Sequence, residues 1–184
     1  MDQDLTKIIA GCCRGKSKSQ KALYHTFYNY GIKVCLRYAQ HREEAEEMLN
    51  DGFVKVFQKI RTHYNPSLSF KAWFNKILVR TAIDYYRKRQ PILFSEDISM
   101  LQVSQDTDLL DHLSAQEILS LVQSLSPAYR IVFNLYAIDG YQHPEIADLL
   151  GIAEGTSRSN LAKARQHLQT KIGQLYQEKK SSYG

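Results

Sequence analysis

The stretch EIADLLGIAEGTSRSNLAKARQHL, from Glu145 to Leu168, is patterned as two helices separated by a break. Apolar residues recur at helical spacing on both sides of Gly151, and a glycine at such a place is typical of the left-handed residue that ends a helix. The first helix is short, and the second is polar and basic on the side opposite its apolar residues. The stretch therefore predicts a helical hairpin with one polar side.

The second helix of this hairpin carries short polar and basic side chains that we expect to face outward: Ser157, Arg158, Ser159, Asn160, Lys163 and Arg165. A helix that enters the major groove of DNA needs short polar residues near its N-terminal end and basic residues farther along to contact phosphates. The pattern therefore favours DNA reading. A helical hairpin with a solvated basic face would show the same spacing, so this alternative stays open.

Helical periodicity continues through most of the remaining chain. Three apolar stripes precede a break at Asn65-Pro66-Ser67, and a fourth helix, FKAWFNKILVRTAIDYYRKRQ, follows the break and stops at Pro91. Farther on, another helix begins after Ser126-Pro127 and ends at Asp139-Gly140. No run alternates apolar and polar residues long enough to predict a sheet. The predicted fold class is therefore all-α.

A stretch without helical periodicity, ISMLQVSQDTDLLD, separates the two helical parts. It is rich in Ser, Asp and Gln and follows a proline, which is typical of a linker. We therefore predict two small helical domains, at residues 1–92 and 112–184, joined by an acidic flexible linker at 93–111.

Charge is distributed unevenly along the 184 residues, whose formal net charge is +5. The net charge is +9 over residues 1–94, −6 over 95–124 and +2 over 125–184. Basic ends around an acidic middle favour contact with polyanions at both ends. No stretch approaches the roughly 20 apolar residues that cross a bilayer, and the N-terminus lacks signal-peptide features. We expect a cytoplasmic protein that is not itself a membrane protein.

Cys12, Cys13 and Cys35 are an odd number of cysteines without the spacing of a disulfide framework or a zinc site. We interpret them as reduced thiols packed in the fold. The segment HREEAEEMLND offers several carboxylates, but the other helices supply almost none of the further ligands that a helical metal site requires. We expect no metal, no cofactor and no catalytic residue.

The helix before Pro91 mixes cations with aromatic side chains. Its cations are Lys71, Lys76, Arg80, Arg87, Lys88 and Arg89, and they share the helix with Trp73, Tyr85 and Tyr86. Aromatic faces beside cations suit unpaired bases, which stack for roughly 1–3 kcal/mol each while the cations follow the backbone. Because duplex DNA hides its base faces, this predicts binding of melted DNA or RNA. Core aromatics with solvated cations remain the alternative.

Three segments in order resemble bacterial RNA polymerase sigma factors of the extracytoplasmic-function (ECF) subfamily: NDGFVKVFQKI, FKAWFNKILVRTAIDYYRKR and LSPAYRIVFNLYAIDGYQHPEIADLLGIAEGTSRSNLAKARQHL. The resemblance covers about three-quarters of the chain and implies the two domains called regions 2 and 4. It implies a transcription initiation factor without catalytic activity, which directs polymerase to a promoter and helps to open the duplex. The implied partners are core RNA polymerase, promoter DNA and an anti-sigma factor.

The resemblance also implies roles by position. Asp51, Lys55 and Gln58 lie where the family docks on the polymerase clamp. Residues implied to contact the melted strand of the upstream promoter element near the start site are Trp73 and Lys76, with Arg80, Arg87 and Lys88 on the same helix. Residues implied to read the farther element as duplex are Ser157, Arg158, Ser159, Asn160, Lys163 and Arg165.

Three positions depart from the family pattern. Arg80 stands where many members have Asn, which leaves the base preference there open. Ala153 stands where a capping Ser is usual, an omission that costs about 1 kcal/mol. Ser157 stands where an apolar residue is frequent, so we expect looser packing of its helix. By family analogy the acidic linker runs through polymerase channels that normally hold nucleic acid; a merely solubilising linker is an equal alternative.

Two hypotheses compete with a sigma factor. One is a stand-alone helix-turn-helix regulator that binds duplex DNA by itself; such a protein does not require the aromatic and basic helix before Pro91. The other is an all-α carboxylate metalloenzyme, for which a convergent set of His and carboxylates is lacking.

Overall fold

The computed structural model describes residues 3–89 and 114–182, and within them the side chains of 4–88 and 114–177. The helices are α1 (Gln3–Cys13), α2 (Ser17–Tyr38), α3 (Arg42–His63), α4 (Phe70–Arg89), α5 (Ala115–Gln123), α6 (Pro127–Phe133), α7 (His143–Leu150) and α8 (Glu154–Ser182), with a π-helical turn at Asn134–Ile138. All regular secondary structure in these residues is helical, which confirms the all-α prediction.

The chain divides into two compact units after Arg89. The predicted linker at 93–111 lies outside the described residues. The domain boundaries proposed from the sequence therefore stay predictions, whereas the helices on either side are observed.

In the first unit α2, α3 and α4 pack against one another, and α1 packs on α2 and α3. Among its buried core side chains are Leu23, Tyr38, Met48, Leu49, Phe53, Val56, Phe70, Phe74 and Leu78. Gly31 allows close approach, because a Cβ there would lie 2.5 Å from Leu49 and 3.2 Å from the ring of Phe74. Each large apolar side chain buried in this way contributes roughly 1.5–3 kcal/mol.

Local signals set both ends of α3. Nδ1 of His41 accepts a hydrogen bond from the backbone N–H of Glu44 at 3.4 Å. The carboxylates in the first turn interact favourably with the positive end of the helix dipole and stabilise the helix. The chain leaves the helix at Tyr64, and Oδ1 of Asn65 accepts the backbone N–H of Ser67 at 3.0 Å. After this short turn α4 packs against α3, so the exposed sides of the two helices belong to the same unit.

In the second unit α5, α6 and α7 each pack on the long helix α8. α5 begins with a capping box: the hydroxyl of Ser114 accepts the N–H of Glu117 at 3.2 Å, and the Glu117 carboxylate accepts the N–H of Ser114 at 2.8 Å. α6 begins at Pro127 after Ser126, as the sequence predicts. The buried core of the unit includes Leu121, Val122, Leu125, Ile131, Leu135, Ile146, Leu150, Leu161 and Ala164.

The helix predicted to end at Asp139-Gly140 does end there, but its last turn is the π-helix Asn134–Ile138. The N–H of Asp139 donates to the carbonyl oxygen of Asn134 at 2.9 Å, five residues back. Asn134 is buried, and its Nδ2 donates to the carbonyl oxygen of Arg130 at 2.8 Å. The sequence pattern did not predict this wider turn, because apolar spacing over five residues does not distinguish it from an α-helical turn.

The turn between α7 and α8 matches its prediction. Gly151 follows α7 with a φ of 68°, a left-handed conformation that glycine adopts without strain. The N–H groups of Gly151 and Ile152 both donate to the carbonyl oxygen of Ala147, at 2.8 and 3.1 Å. The break at Gly151 is confirmed, and α7 and α8 pack together as a helix-turn-helix hairpin.

The three cysteines are free thiols; Cys12 and Cys35 are buried and Cys13 is half-buried. Burial raises the pKa of Cys12 to about 11 and that of Cys35 to about 12. Both thiols are therefore protonated at neutral pH, in agreement with their interpretation as packing residues.

Candidate nucleic-acid and polymerase interfaces

Beyond its first turn, helix α4 is buried over most of its circumference and leaves one exposed stripe. Trp73, Lys76, Arg80, Asp84 and Arg87 follow one another along this side at intervals of three or four residues. Trp73 is half-buried, and the other four are exposed. These five residues, which we call the α4 stripe, combine three cations with one aromatic ring.

Asp84, the only carboxylate of the α4 stripe, forms an ion pair with Lys55 on α3. Nζ of Lys55 lies 2.9 Å from Oδ2 of Asp84. This pairing compensates the negative charge of Asp84, so the charge that the stripe presents is positive. The exposed cations on this side of α4 are Lys76, Arg80, Arg87 and Lys88. Such a row suits the phosphates of a single strand.

The indole of Trp73 is held in place by other aromatic rings. Its centroid lies 5.3 Å from that of Tyr64 and 5.8 Å from that of Phe70, and both neighbours are buried. The part of the indole that remains exposed is therefore fixed before any ligand arrives. A base that stacks there has little side-chain entropy to overcome.

Tyr85 and Tyr86 are core residues, 7% and 5% exposed. The hydroxyl of Tyr86 donates to the carbonyl oxygen of Tyr38 at 2.6 Å, and that of Tyr85 donates to the carboxylate of Glu47 at 3.2 Å. Of the two alternatives that the sequence left open, Tyr85 and Tyr86 therefore follow the one in which the aromatics are core, and their partners on α3 and α2 hold them inside.

Asp51, Lys55 and Gln58 occupy one side of α3, as their spacing predicts. Asp51 and Gln58 are exposed, and Lys55 is partly covered by its pairing with α4. Val54 shares this side and is 53% exposed, which the sequence interpretation missed. It stands three residues after Asp51 and outside the buried stripe of α3, and this signal could have found it. We call these four residues the α3 face.

The polar residues at the start of α8 divide between the inside and the outside of the unit. Those that keep exposed surface are Arg158, Ser159, Lys163 and Arg165. Ser157 and Asn160 are completely buried. The expectation that these two face outward is wrong, because α6 and α7 pack on α8 and the covered arc is wider than its apolar residues alone suggest.

The two buried polar side chains have partners inside the unit. Oγ of Ser157 lies 2.9 Å from Nδ1 of His143, and Nδ2 of Asn160 donates to the carbonyl oxygen of Thr156 at 2.7 Å. The looser packing expected at Ser157 is not observed, since a polar contact takes the place of an apolar one. Burial, and then the charge of Arg158, lower the pKa of His143 below its ordinary 6.5, so the ring is neutral at pH 7.

The two exposed arginines of α8 have neighbours that restrain them. Nε of Arg158 donates to Oε1 of Glu154 at 3.2 Å, and its Nη2 donates to the same oxygen. The guanidinium carbon of Arg165 lies 5.8 Å from the ring centroid of Tyr136. Glu154 therefore competes with an anionic ligand for the guanidinium of Arg158. The uncharged ring of Tyr136 leaves the positive charge of Arg165 uncompensated.

Within residues 3–89 and 114–182, no group of three His, Cys, Asp or Glu side chains is arranged to hold a metal ion. Nor does any helix in this part of the chain combine the length and the apolar character needed to cross a membrane.

Comparison with known families gives two matches. The family Sigma-70 region 2 matches residues 23–92, and Sigma-70, region 4 matches residues 115–168. The first range contains the α3 face and the α4 stripe, and the second contains the exposed start of α8. All three candidate surfaces therefore lie in segments that match the family.

Individual relatives agree with these matches. RNA polymerase sigma factor SigV of Bacillus subtilis is 26% identical over 72% of this chain and 78% of its own length. ECF RNA polymerase sigma factor SigW of the same organism is 25% identical over 95% of this chain and 100% of its own length. The sigma factor RpoE of Bartonella quintana, solved in complex with the anti-sigma factor NepR, has a similar fold, with a TM-score of 0.50, 22% identity and coverage of 82% of this chain and 94% of that one.

Both family segments are present, in the same order as the helices that carry the candidate surfaces, and the ECF relatives span nearly the whole chain. This confirms the resemblance drawn from the sequence. The chain belongs to the sigma-70 family, in its ECF subfamily, and is a non-enzymatic transcription initiation factor that directs RNA polymerase to promoters.

Proposed function

We propose that this sigma factor holds its promoter at two points. The α4 stripe captures the melted strand of the promoter element nearer the start site, and the exposed side of α8 reads the farther element as duplex. The observation that carries the proposal is the α4 stripe, with Trp73 half-exposed among cations. A regulator that binds only duplex DNA has no need of an aromatic ring in such a place, because duplex base faces are hidden.

The order of side chains along α4 supports the proposed strand capture. An unpaired base that stacks on the exposed part of Trp73 gains roughly 1–3 kcal/mol, which offsets much of the few kcal/mol lost on unstacking. Lys76 and Arg80 lie on the next two turns of the stripe and are exposed, so they can contact successive phosphates. Arg80 stands where Asn is frequent in the family, and its guanidinium is able to meet either a phosphate or a base edge.

Duplex reading is assigned to the residues of α8 that keep exposed surface: Arg158, Ser159, Lys163 and Arg165. Arg158 and Arg165 are seven residues apart on one side of the helix, an axial separation of about 10 Å. That interval suits two contacts along a groove, to base edges or to phosphates. Ser157 and Asn160, being buried, support the helix from inside rather than contacting DNA.

We propose the α3 face as the surface that binds core polymerase. Asp51 and Gln58 are exposed polar groups at its ends, and Val54 is an exposed apolar side chain between them. A small apolar centre with a polar surround is the usual composition of a protein interface. Lys55 links this face to the α4 stripe through Asp84, so docking and strand capture share one rigid pair of helices.

An anti-sigma factor is the further partner that we propose. The similar fold of RpoE, which binds the anti-sigma factor NepR, supports this. Such a partner would inhibit the chain by covering the surfaces that meet polymerase and DNA. For residues 93–111 we propose passage through basic channels of the polymerase, which their negative charge favours.

Transcription with purified core RNA polymerase tests the two-point proposal. Genomic fragments that give transcripts only when the chain is added supply the promoters. On these, Trp73→Ala should lower open-complex formation about tenfold, since a stacked base contributes on the order of 1–3 kcal/mol. Arg158→Ala should instead weaken retention of the closed duplex. Trp73→Phe, which keeps a ring, and Lys21→Ala, which removes an exposed cation from α2, are the matched controls.

Two outcomes would contradict the proposal. If the chain never binds core polymerase and retains duplex fragments alone, the stand-alone regulator is favoured. If Trp73→Ala and Arg158→Ala reduce opening equally, with no difference in closed-complex retention, the two units do not divide the work as proposed.

A further inference from the structure

A buried polar contact joins the two helices of the helix-turn-helix hairpin. His143, the first residue of α7, is 8% exposed, and its Nδ1 lies 2.9 Å from Oγ of Ser157 at the end of the first turn of α8. Ser157 is completely buried. The bond joins residues 14 apart, one on each side of the turn at Gly151. It therefore holds the two helices together independently of the turn itself.

The same histidine ring reaches the exposed side of α8 through a second residue. It stacks on Tyr136 of the π-helical turn, with ring centroids 4.6 Å apart and an angle of 24° between the planes. Tyr136 in turn lies under the guanidinium of Arg165, at 5.8 Å. The contacts run from Ser157 through His143 and Tyr136 to Arg165, and they connect the inside of α8 with one of its exposed cations.

This arrangement has a directional consequence that an apolar contact would lack. A hydrogen bond weakens steeply with distance and angle, so the bond to His143 restricts the rotation of α8 about its own axis. An arginine placed over an aromatic ring is likewise held by attraction to the ring face. Recognition residues must be held within about 0.5 Å of their working geometry, and packing or hydrogen bonds behind them supply this.

We propose that His143 is a positioning residue for duplex reading: its bond to Ser157 sets the rotation of the recognition helix, and its stack on Tyr136 fixes the place of Arg165. The proposal rests on the proposed role of α8 as the helix that reads duplex DNA. It also gives a reason for the serine at 157, where the family frequently has an apolar residue.

Two single substitutions and their combination test the bond. His143→Phe keeps a ring on Tyr136 but leaves the Ser157 hydroxyl without its partner, and Ser157→Ala leaves the histidine nitrogen without its partner while adding no bulk. A buried polar group without a partner disturbs the local structure, whereas removal of both polar groups is close to neutral. The probe is a promoter duplex that contains the farther element, with a duplex in which that element is scrambled as control.

With holoenzyme assembled on the full chain, we expect each single variant to lose about tenfold in preference for the intact over the scrambled duplex. The combined variant should regain preference to within about threefold of the parent chain. Binding of core polymerase and thermal unfolding of the first unit should be unchanged in all three. A loss of preference at temperatures where circular dichroism shows full helicity separates positioning from mere stability.

The stack is tested separately. Arg165→Ala and Tyr136→Leu should lower affinity for the intact duplex by similar factors, and their combination should lower it no further than Arg165→Ala alone. Independent, multiplying effects would overturn the role of Tyr136 as the support of Arg165.

Other outcomes would overturn either the positioning role of His143 or the duplex-reading role of α8. Folded His143→Phe and Ser157→Ala variants with the parent preference would overturn the positioning proposal. So would losses that follow only the unfolded fraction of each variant. If the parent holoenzyme itself does not distinguish intact from scrambled duplex, it is the duplex-reading function of α8 that fails, and the positioning proposal fails with it.

Discussion

Glu154→Gln is expected to weaken the fold and strengthen DNA binding at the same time. The carboxylate of Glu154 accepts two hydrogen bonds from Arg158 one turn later. Both side chains are substantially exposed. Glutamine has the same size and removes only the charge. The substitution therefore releases the guanidinium of Arg158 and removes a negative charge that would face the phosphates.

The structure sets the size of both effects. An exposed pair four residues apart in a helix contributes about 0.3–0.5 kcal/mol, and an acidic residue in the first turn contributes about 0.3–1 kcal/mol through the helix dipole. Loss of both lowers the free energy of unfolding of the second unit by roughly 0.5–1.5 kcal/mol. In binding, the pair energy of about 0.3–0.5 kcal/mol no longer opposes the transfer of Arg158 to a phosphate, which alone raises affinity about twofold, and removal of the negative charge beside the phosphates adds to this gain.

The assay is titration of holoenzyme against the promoter duplex at several salt concentrations, beside thermal unfolding of the chain. A complete phosphate contact by Arg158 would steepen the plot of log affinity against log salt by about 0.9. Asp148→Asn is the matched control, because it removes the same charge from an exposed position on α7. It should change affinity by less than about twofold.

A double-mutant cycle that combines Glu154→Gln with Arg158→Ala shows why the affinity rises. If Glu154→Gln raises affinity as much without Arg158 as with it, the gain comes from net charge and not from release of the guanidinium. A fall in affinity would mean that Glu154 holds Arg158 in its binding position, and the competition inferred from the structure would be refuted.

Three further predictions concern stability. The pKa of His143 is lower in the folded chain than its ordinary 6.5, so on acidification the unfolded chain binds a proton at this residue before the folded chain does. The free energy of unfolding of the second unit should therefore be highest above pH 6.5 and fall below it. Thermal unfolding between pH 7.5 and 5 measures this dependence, and His143→Phe should remove its share of the dependence on pH. Gly31→Ala should lower the free energy of unfolding by about 1–2 kcal/mol, since its methyl group would overlap Leu49 and press on Phe74. Gly173→Ala, in open space within α8, should raise it by up to about 1 kcal/mol in the same calorimetric measurement.

The helices could be predicted from the sequence because their signals are local. Apolar stripes, the proline after Ser126 and the glycine at 151 each act within a few residues, and each lies where the structure places a helix or its end. The π-helical turn could not be predicted in this way. It begins at the buried Asn134, whose side chain bonds to a carbonyl oxygen in the preceding turn, and no spacing of apolar residues reveals this.

The candidate surfaces were predicted less completely, because exposure depends on distant parts of the chain. Tyr85 and Tyr86 look like surface aromatics beside cations, yet their hydroxyl partners lie 38 and 48 residues away. Ser157 and Asn160 look like outward polar residues, yet neighbouring helices cover them. For Ser157 and the two tyrosines a hydrogen bond to a distant residue permits burial, whereas Nδ2 of Asn160 bonds to the carbonyl oxygen of Thr156 in its own helix. Polarity alone therefore overestimates the exposed face of a helix.

Permanganate reactivity of unpaired thymines in a duplex promoter measures promoter opening through the α4 stripe. Core polymerase with the parent chain should give reactive thymines near the start site. With Trp73→Ala the same duplex should stay bound while reactivity falls about tenfold, and Trp73→Phe should restore most of it. Full reactivity with Trp73→Ala, or loss of reactivity only in proportion to loss of duplex binding, would show that Trp73 does not capture the melted strand.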